Sequence, residues 1–205
     1  MNRARAALPS TLALLALLVV AFCAHAGSVE SLRSGAFDPP RAAPDFSLNG
    51  SDGTELRLSR YRGKVVALGF GYTSCPEACP TTMAFLAQAR RQLGSARDDF
   101  QVLYVTVDPE RDTADRLRKF VTAFDPTFIG ATGTPAQLAD VRSAYGIQVS
   151  RIGSATSGGN YLLHHSSFVY LIDRSGRLRA MMPFGVSADD IAHDVKVLLA
   201  KPANE

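Results

Sequence analysis

The residues with the most chemistry in them lie close together. Cys75 and Cys79 sit in the segment Gly69-Phe70-Gly71-Tyr72-Thr73-Ser74-Cys75-Pro76-Glu77-Ala78-Cys79-Pro80-Thr81-Thr82-Met83. An apolar run, Val65 to Phe70, precedes them and reads as a buried strand. A helical pattern, Met83 to Leu93, follows. The pair therefore stands where a strand hands over to a helix N-terminus. Unpaired N–H groups and the helix dipole stabilise a thiolate there. An i, i+4 spacing can bring two sulfurs to one side of a turn. Two converging thiolates suit a soft metal or a reversible disulfide. A purely stapling disulfide is the poorer account, because closing so short a loop removes little unfolded-chain entropy.

The second candidate is His164-His165, just before the apolar run Ser167 to Ile172. A single histidine there would read as an ordinary surface or core residue. Two of the chain's four histidines side by side at a strand entrance point further. Neighbours on an extended segment face opposite ways, so only one of them can face the cysteines. Of the other two, His25 falls in the leader. His193 lies opposite Ile191, Val195 and Leu199 on a helical pattern and reads as a solvated position. Two thiolates and one imidazole form a compact, soft donor set. Sulfur favours Cu(I), and imidazole is compatible with Cu(II) and zinc. Three ligands are too few for a closed structural zinc site. An open three-ligand site suits a metal that is handed on.

The elements around these residues alternate. Strand runs are Val65 to Phe70, Val102 to Val107 and Ser167 to Ile172, the last followed by the turn Asp173-Arg174-Ser175-Gly176 into Arg177 to Met182. Helical patterns are Met83 to Leu93, Thr113 to Phe124, Ala136 to Tyr145 with a stop at Gly146, and Ser187 to about Leu199. Strand-helix alternation with a late antiparallel hairpin predicts an α/β protein, a mixed central sheet with helices on both faces. The stretch Gly153 to Asn160 is rich in glycine and serine and is expected to be a flexible loop.

The first 26 residues read as an export signal. Arg3 and Arg5 open it, Leu12 to Phe22 is apolar, and Ala24-His25-Ala26 resembles a cleavage site. The apolar run is about a dozen residues, short for a spanning helix. An uncleaved N-terminal anchor is the alternative. A lipoprotein reading through Cys23 is poorer, because Phe22 stands where a small residue is expected. Residues 27–43 read as a linker and 44–205 as the folded domain. The body is thus expected outside the cytoplasm. With 205 residues, 46% hydrophobic and 20% charged, the chain is neither disordered nor fibrous. The net charge is +3, two of it from Arg3 and Arg5, and no block of like charges suggests nucleic acid. Three cysteines do not make a disulfide-stapled scaffold.

Three segments carry a resemblance. GYTSCPEACPTTM, VTVDPERDT (Val105 to Thr113) and HSSFVYLID (His165 to Asp173) are similar, in that order, to the Sco/SenC family. The resemblance runs from Pro44 to Leu199. It implies a thioredoxin-like fold and copper, Cu(I) or Cu(II), bound by Cys75, Cys79 and His165. It implies a copper chaperone that supplies the dinuclear copper centre of cytochrome c oxidase, reduces the cysteines of that centre, or both. Partners implied are the copper-bearing oxidase subunit, a copper donor and a thiol reductant, in the periplasm. One departure stands out: His164 occupies a position where the family usually has Asp, and it offers an alternative ligand. The Asp108-Pro109-Glu110-Arg111-Asp112-Thr113 segment reads as a strand end, turn and helix cap rather than part of the site.

A general extracytoplasmic thiol-disulfide oxidoreductase is the nearest rival. It accounts for the cysteines but has no use for a histidine. Thioredoxin-type enzymes have C-x-x-C and a proline before the late strand. Here three residues separate the cysteines, and no proline occurs from Ala136 to Met182. A structural binding module would tolerate serine at both cysteines. No phosphate-binding glycine loop or Ser-His-Asp arrangement is visible.

Overall fold

The computed structural model describes residues 31–152 and 161–202. The segment read as an export signal and the glycine-rich loop Gly153 to Asn160 lie outside the described residues. Elements follow in the order β1 (Gly35–Ala42), β2 (Ser47–Gly50), β3 (Glu55–Arg57), β4 (Val65–Gly71), α1 (Ala78–Gln92), β5 (Phe100–Thr106), α2 (Ala114–Thr122), β6 (Ile129–Thr132), α3 (Pro135–Tyr145), β7 (Val149–Ile152), β8 (Leu162–His165), β9 (Val169–Ile172), β10 (Arg177–Met182) and α4 (Ala188–Leu199).

Eight strands form one sheet in the order β1-β10-β9-β4-β5-β6-β2-β3. β4, β5 and β6 run parallel, and β9 joins the other edge of β4 antiparallel. β4 and β5 are the longest apolar runs and take the centre, where every one of their residues is buried. A strand buried on both faces has no use for alternation, which is why these two read as continuous apolar runs. α1 packs against α4, and α2 packs along β6. Among the described residues, three of the four α-helices, α2, α3 and α4, start where the sequence supplies a side-chain cap. Thr113 accepts from the Arg116 N–H at 3.2 Å, Thr134 forms a capping box with Gln137, and Ser187 accepts from the Asp190 N–H. Gly146, at φ 68°, ends α3 in the left-handed conformation glycine accepts readily.

Two expectations are corrected. Part of the stretch read as linker is strand β1, paired with β10 at the sheet edge. Pro39 and Pro40 lack N–H groups, so the strand sits at an edge with a register shift between Ala36 and Arg41, and it shows no alternation. His193 is not solvated: its side chain is 13% exposed. The N-terminal segment crosses α4 there. Its Arg33 and Ser34 N–H groups donate to the buried Asp194 carboxylate at 2.7 and 3.0 Å, and His193 Nε2 lies 3.1 Å from the Ser31 carbonyl.

β7 and β8 form a separate two-stranded hairpin, with Val149 opposite His165 and Ser150 opposite His164. The sequence gives little sign of this hairpin, because each strand is four residues long and neither buries a regular face.

Candidate metal centre

Three short segments converge at the C-terminal end of β4. The first is the loop from Tyr72 to Glu77, which carries Cys75. The second is the first turn of α1, which carries Cys79. That turn starts without a side-chain cap from Glu77. The Cys75 sulfur serves instead: the Cys79 N–H donates to it at 3.4 Å. An uncapped helix start is a place where backbone donors wait for an anion.

The third segment is β8. Strand alternation leaves His164 exposed and turns His165 inward, 9% exposed. His165 Nδ1 lies 3.1 Å from the Ser166 carbonyl. A carbonyl can only accept, so Nδ1 carries the proton and the Nε2 lone pair is left for the site. Nε2 is 3.6 Å from the Cys79 sulfur. One donor atom from each of Cys75, Cys79 and His165 lies within 4.8 Å of the others. His164 is not among them, although it lines the neighbouring cleft.

The two sulfurs differ in character. Cys75 is half-buried, and its thiol is pulled down to about 4. The largest cause is the hydrogen bond donated by the Cys79 thiol, which outweighs desolvation, and the Cys79 and Glu77 N–H groups add to it. Cys79 is buried and pushed up, because it is the donor in that bond and because burial disfavours its charge. The Tyr104 hydroxyl opposes this by hydrogen-bonding the Cys79 sulfur. Burial pushes Tyr104 itself well up, so it stays a donor. The pair is therefore one thiolate and one thiol sharing a proton.

Gly71 makes room for this arrangement. A Cβ there would fall 2.6 Å from the Cys79 sulfur and closer still to the Tyr104 hydroxyl. Tyr72, 1% exposed, ties the strand to the hairpin: its hydroxyl accepts from the Leu163 N–H at 3.2 Å, and its ring meets the His165 ring edge-on at 5.9 Å. Sequence reading singled out neither Tyr72 nor Tyr104, since both pass for core aromatics. The site opens into a cleft of about 360 Å³ whose walls include Cys75, Glu77, Leu162, His164, His165 and Phe184. Two sulfurs and one imidazole, with the fourth direction open to this cleft, fit a soft metal that enters and leaves.

Residues 35–200 match the SCO1/SenC family. The chain belongs to that family. The SCO2-like protein of Rickettsia prowazekii is 34% identical over 146 residues, 71% of each chain. The mitochondrial SCO2 homologue of Bos taurus is 34% identical over 154 residues, 74% of this chain and 58% of that one. The structure of Bradyrhizobium japonicum ScoI with copper bound superposes with a TM-score of 0.70 at 30% identity, covering 77% of this chain and 99% of that one. The fold of this SCO1/SenC protein is thioredoxin-like, a mixed sheet covered by helices, as the sequence resemblance implied. Among its described residues, no helix is long and apolar enough to cross a membrane.

Proposed function

We propose that this SCO1/SenC protein takes copper as cargo at Cys75, Cys79 and His165. It then delivers the copper to the dinuclear copper site of cytochrome c oxidase, or reduces the cysteines of that site. The observation that carries the reading is the convergence of two sulfurs and one imidazole nitrogen within 4.8 Å at the wall of an open cleft. Sulfur holds Cu(I), and the imidazole adds the ligand that Cu(II) prefers. Relatives solved with copper bound support the choice of metal. The description of the Sco family as cytochrome c oxidase assembly proteins supports the recipient.

The same pair can act as a reductant. The Cys75 thiolate attacks one sulfur of a target disulfide, forming a mixed disulfide and releasing one target thiolate. Cys79 gives up its proton and attacks the Cys75 sulfur, releasing the second target thiolate. Two electrons pass to the target, and a Cys75–Cys79 disulfide remains for an external thiol reductant to reset. A general thiol-disulfide oxidoreductase would work this way too, but His165 beside the sulfurs favours a metal-handling role.

Ile152 (54%), Leu162 (48%) and Phe184 (48%) are the most exposed large apolar side chains among the described residues, and all three border the cleft. Such a rim suits a partner that docks over the metal. Residues 1–26 act as export signal or anchor, which places the domain in the periplasm, where copper donor, reductant and oxidase subunit can reach it.

The test mixes reduced, copper-loaded protein with the metal-free, oxidised copper-bearing domain of the oxidase subunit. Copper on the recipient is read by absorption and its free thiols by labelling. Wild type is expected to produce one or both, and Cys75→Ser neither. A recipient unchanged by wild type contradicts the proposal.

A further inference from the structure

We infer that the Asp108–Thr113 turn positions both halves of the centre, with Asp112 fixing the cysteine loop and Asp108 with Arg111 fixing the hairpin that brings His165. The purpose assigned to the two halves rests on the copper reading above; the positioning itself can be measured without metal.

As a turn and helix cap, this segment needs only its backbone and the Thr113 hydroxyl. The Arg111 and Asp112 N–H groups donate to the Asp108 carbonyl at 3.2 and 2.9 Å, and Thr113 caps α2. Nothing in that account asks for buried carboxylates. Yet Asp108 is 2% exposed and Asp112 0%. Burying a carboxylate is costly unless charged hydrogen bonds surround it. Those bonds run to the two segments of the centre.

Asp112 faces the cysteine side. It accepts from the Thr73 N–H at 3.0 Å, the Thr73 hydroxyl at 2.6 Å and the Thr106 hydroxyl at 2.7 Å. Thr73 lies two residues before Cys75, so this carboxylate sets the path of the loop. Asp108 faces the histidine side. It pairs with Arg111 at 2.5 Å and accepts from the Tyr161 hydroxyl at 2.6 Å. Arg111 donates to the Tyr161 carbonyl at 3.0 Å and stacks on its ring at 3.7 Å. Arg151, on the opposite strand of the hairpin, stacks on the same ring at 3.9 Å. The hairpin is also tied to the residue just after β4, where the Leu163 N–H donates to the Tyr72 hydroxyl. One turn thus holds two segments that are far apart in sequence.

The test uses two conservative variants. Thr73→Val removes one hydroxyl from the Asp112 side, and Tyr161→Phe removes one from the Asp108 side. In metal-free protein, Tyr161→Phe is expected to speed amide exchange at Leu163 and leave the alkylation rate of Cys75 near wild type. Thr73→Val is expected to change Cys75 alkylation and leave Leu163 exchange near wild type. With copper, Tyr161→Phe is expected to weaken Cu(II) by less than the ~10-fold that losing a direct partner of a ligand costs, because the Tyr161 hydroxyl acts on His165 only through the hairpin, and to leave Cu(I) nearly unchanged. A general loss of packing would move both readouts in both variants, and that result, or no movement in either, would overturn the inference. Failure of wild type to bind copper would instead overturn the copper reading, while exchange and alkylation still decide the positioning.

Discussion

The Cys79 sulfur and His165 Nε2 stand 3.6 Å apart, although 86 positions separate them in the chain. The contact is built in two steps. β4 and β5 place the Cys loop at the end of the central sheet, and the β7–β8 hairpin folds back over it. Tyr72 links the two, because its hydroxyl meets the hairpin backbone and its ring meets the imidazole.

Cys75 is expected to react as a thiolate far below the ordinary thiol range. Its pKa falls from the usual value near about 8.5 to about 4, so the thiolate persists until pH drops through that lower value. Alkylation in metal-free, reduced protein should be nearly flat from about pH 6 to 8 and decline only in acid. Cys79→Ala removes the main donor and should move the profile upward. A wild-type rate that climbs through about pH 8.5, as for a free thiol, would show that the thiol pair does not share its proton this way.

His165 and His164 are expected to separate cleanly. His165→Ala should weaken Cu(II) strongly and Cu(I) less, because two thiolates hold Cu(I) nearly alone. His164→Ala should leave both close to wild type, since its side chain is exposed and is not among the three donors that converge. Electron paramagnetic resonance of the Cu(II) forms checks this. Loss of nitrogen coupling in His164→Ala, with coupling retained in His165→Ala, would reverse the assignment.

Oxidation is expected to close the site. Metal-free protein under mild oxidant should lose two hydrogens at the peptide holding Cys75 and Cys79, and the oxidised form should bind no copper, because a metal ligand must be a thiolate. Mass spectrometry followed by copper titration reads both. Full copper binding by the oxidised form would mean that the sulfurs are not the essential ligands.

Gly71→Ala should disturb the centre without touching a ligand. The added methyl meets the Cys79 sulfur and the Tyr104 hydroxyl, and overpacking of this kind costs about 1–3 kcal/mol. A lower denaturant midpoint together with weaker Cu(I) binding is the expected outcome. Wild-type values for both would mean that the strand end relaxes freely.

The cysteines, the inward histidine and the central strands were legible because their signals are local. A continuous apolar run marks β4 and β5, a four-residue spacing marks the thiol pair, and alternation picks His165 from its neighbour. What stayed hidden depends on contacts across the chain. Asp112 reads as a turn residue until Thr73 and Thr106 are seen to converge on it. Tyr72 and Tyr104 read as core aromatics, because burial and polar use of a tyrosine look the same in sequence. β1 reads as linker because two prolines break its pattern, and His193 reads as solvated because the segment covering it comes from Ser31 to Ser34.

The most direct measurement is copper stoichiometry and Cu(I) affinity of the fully reduced protein, by competition with a chelator, for wild type, Cys75→Ser and Cys79→Ser. One copper per chain in wild type, with most of the affinity lost in each single variant, is the expected result. Wild-type affinity in either serine variant would contradict a centre built on both sulfurs.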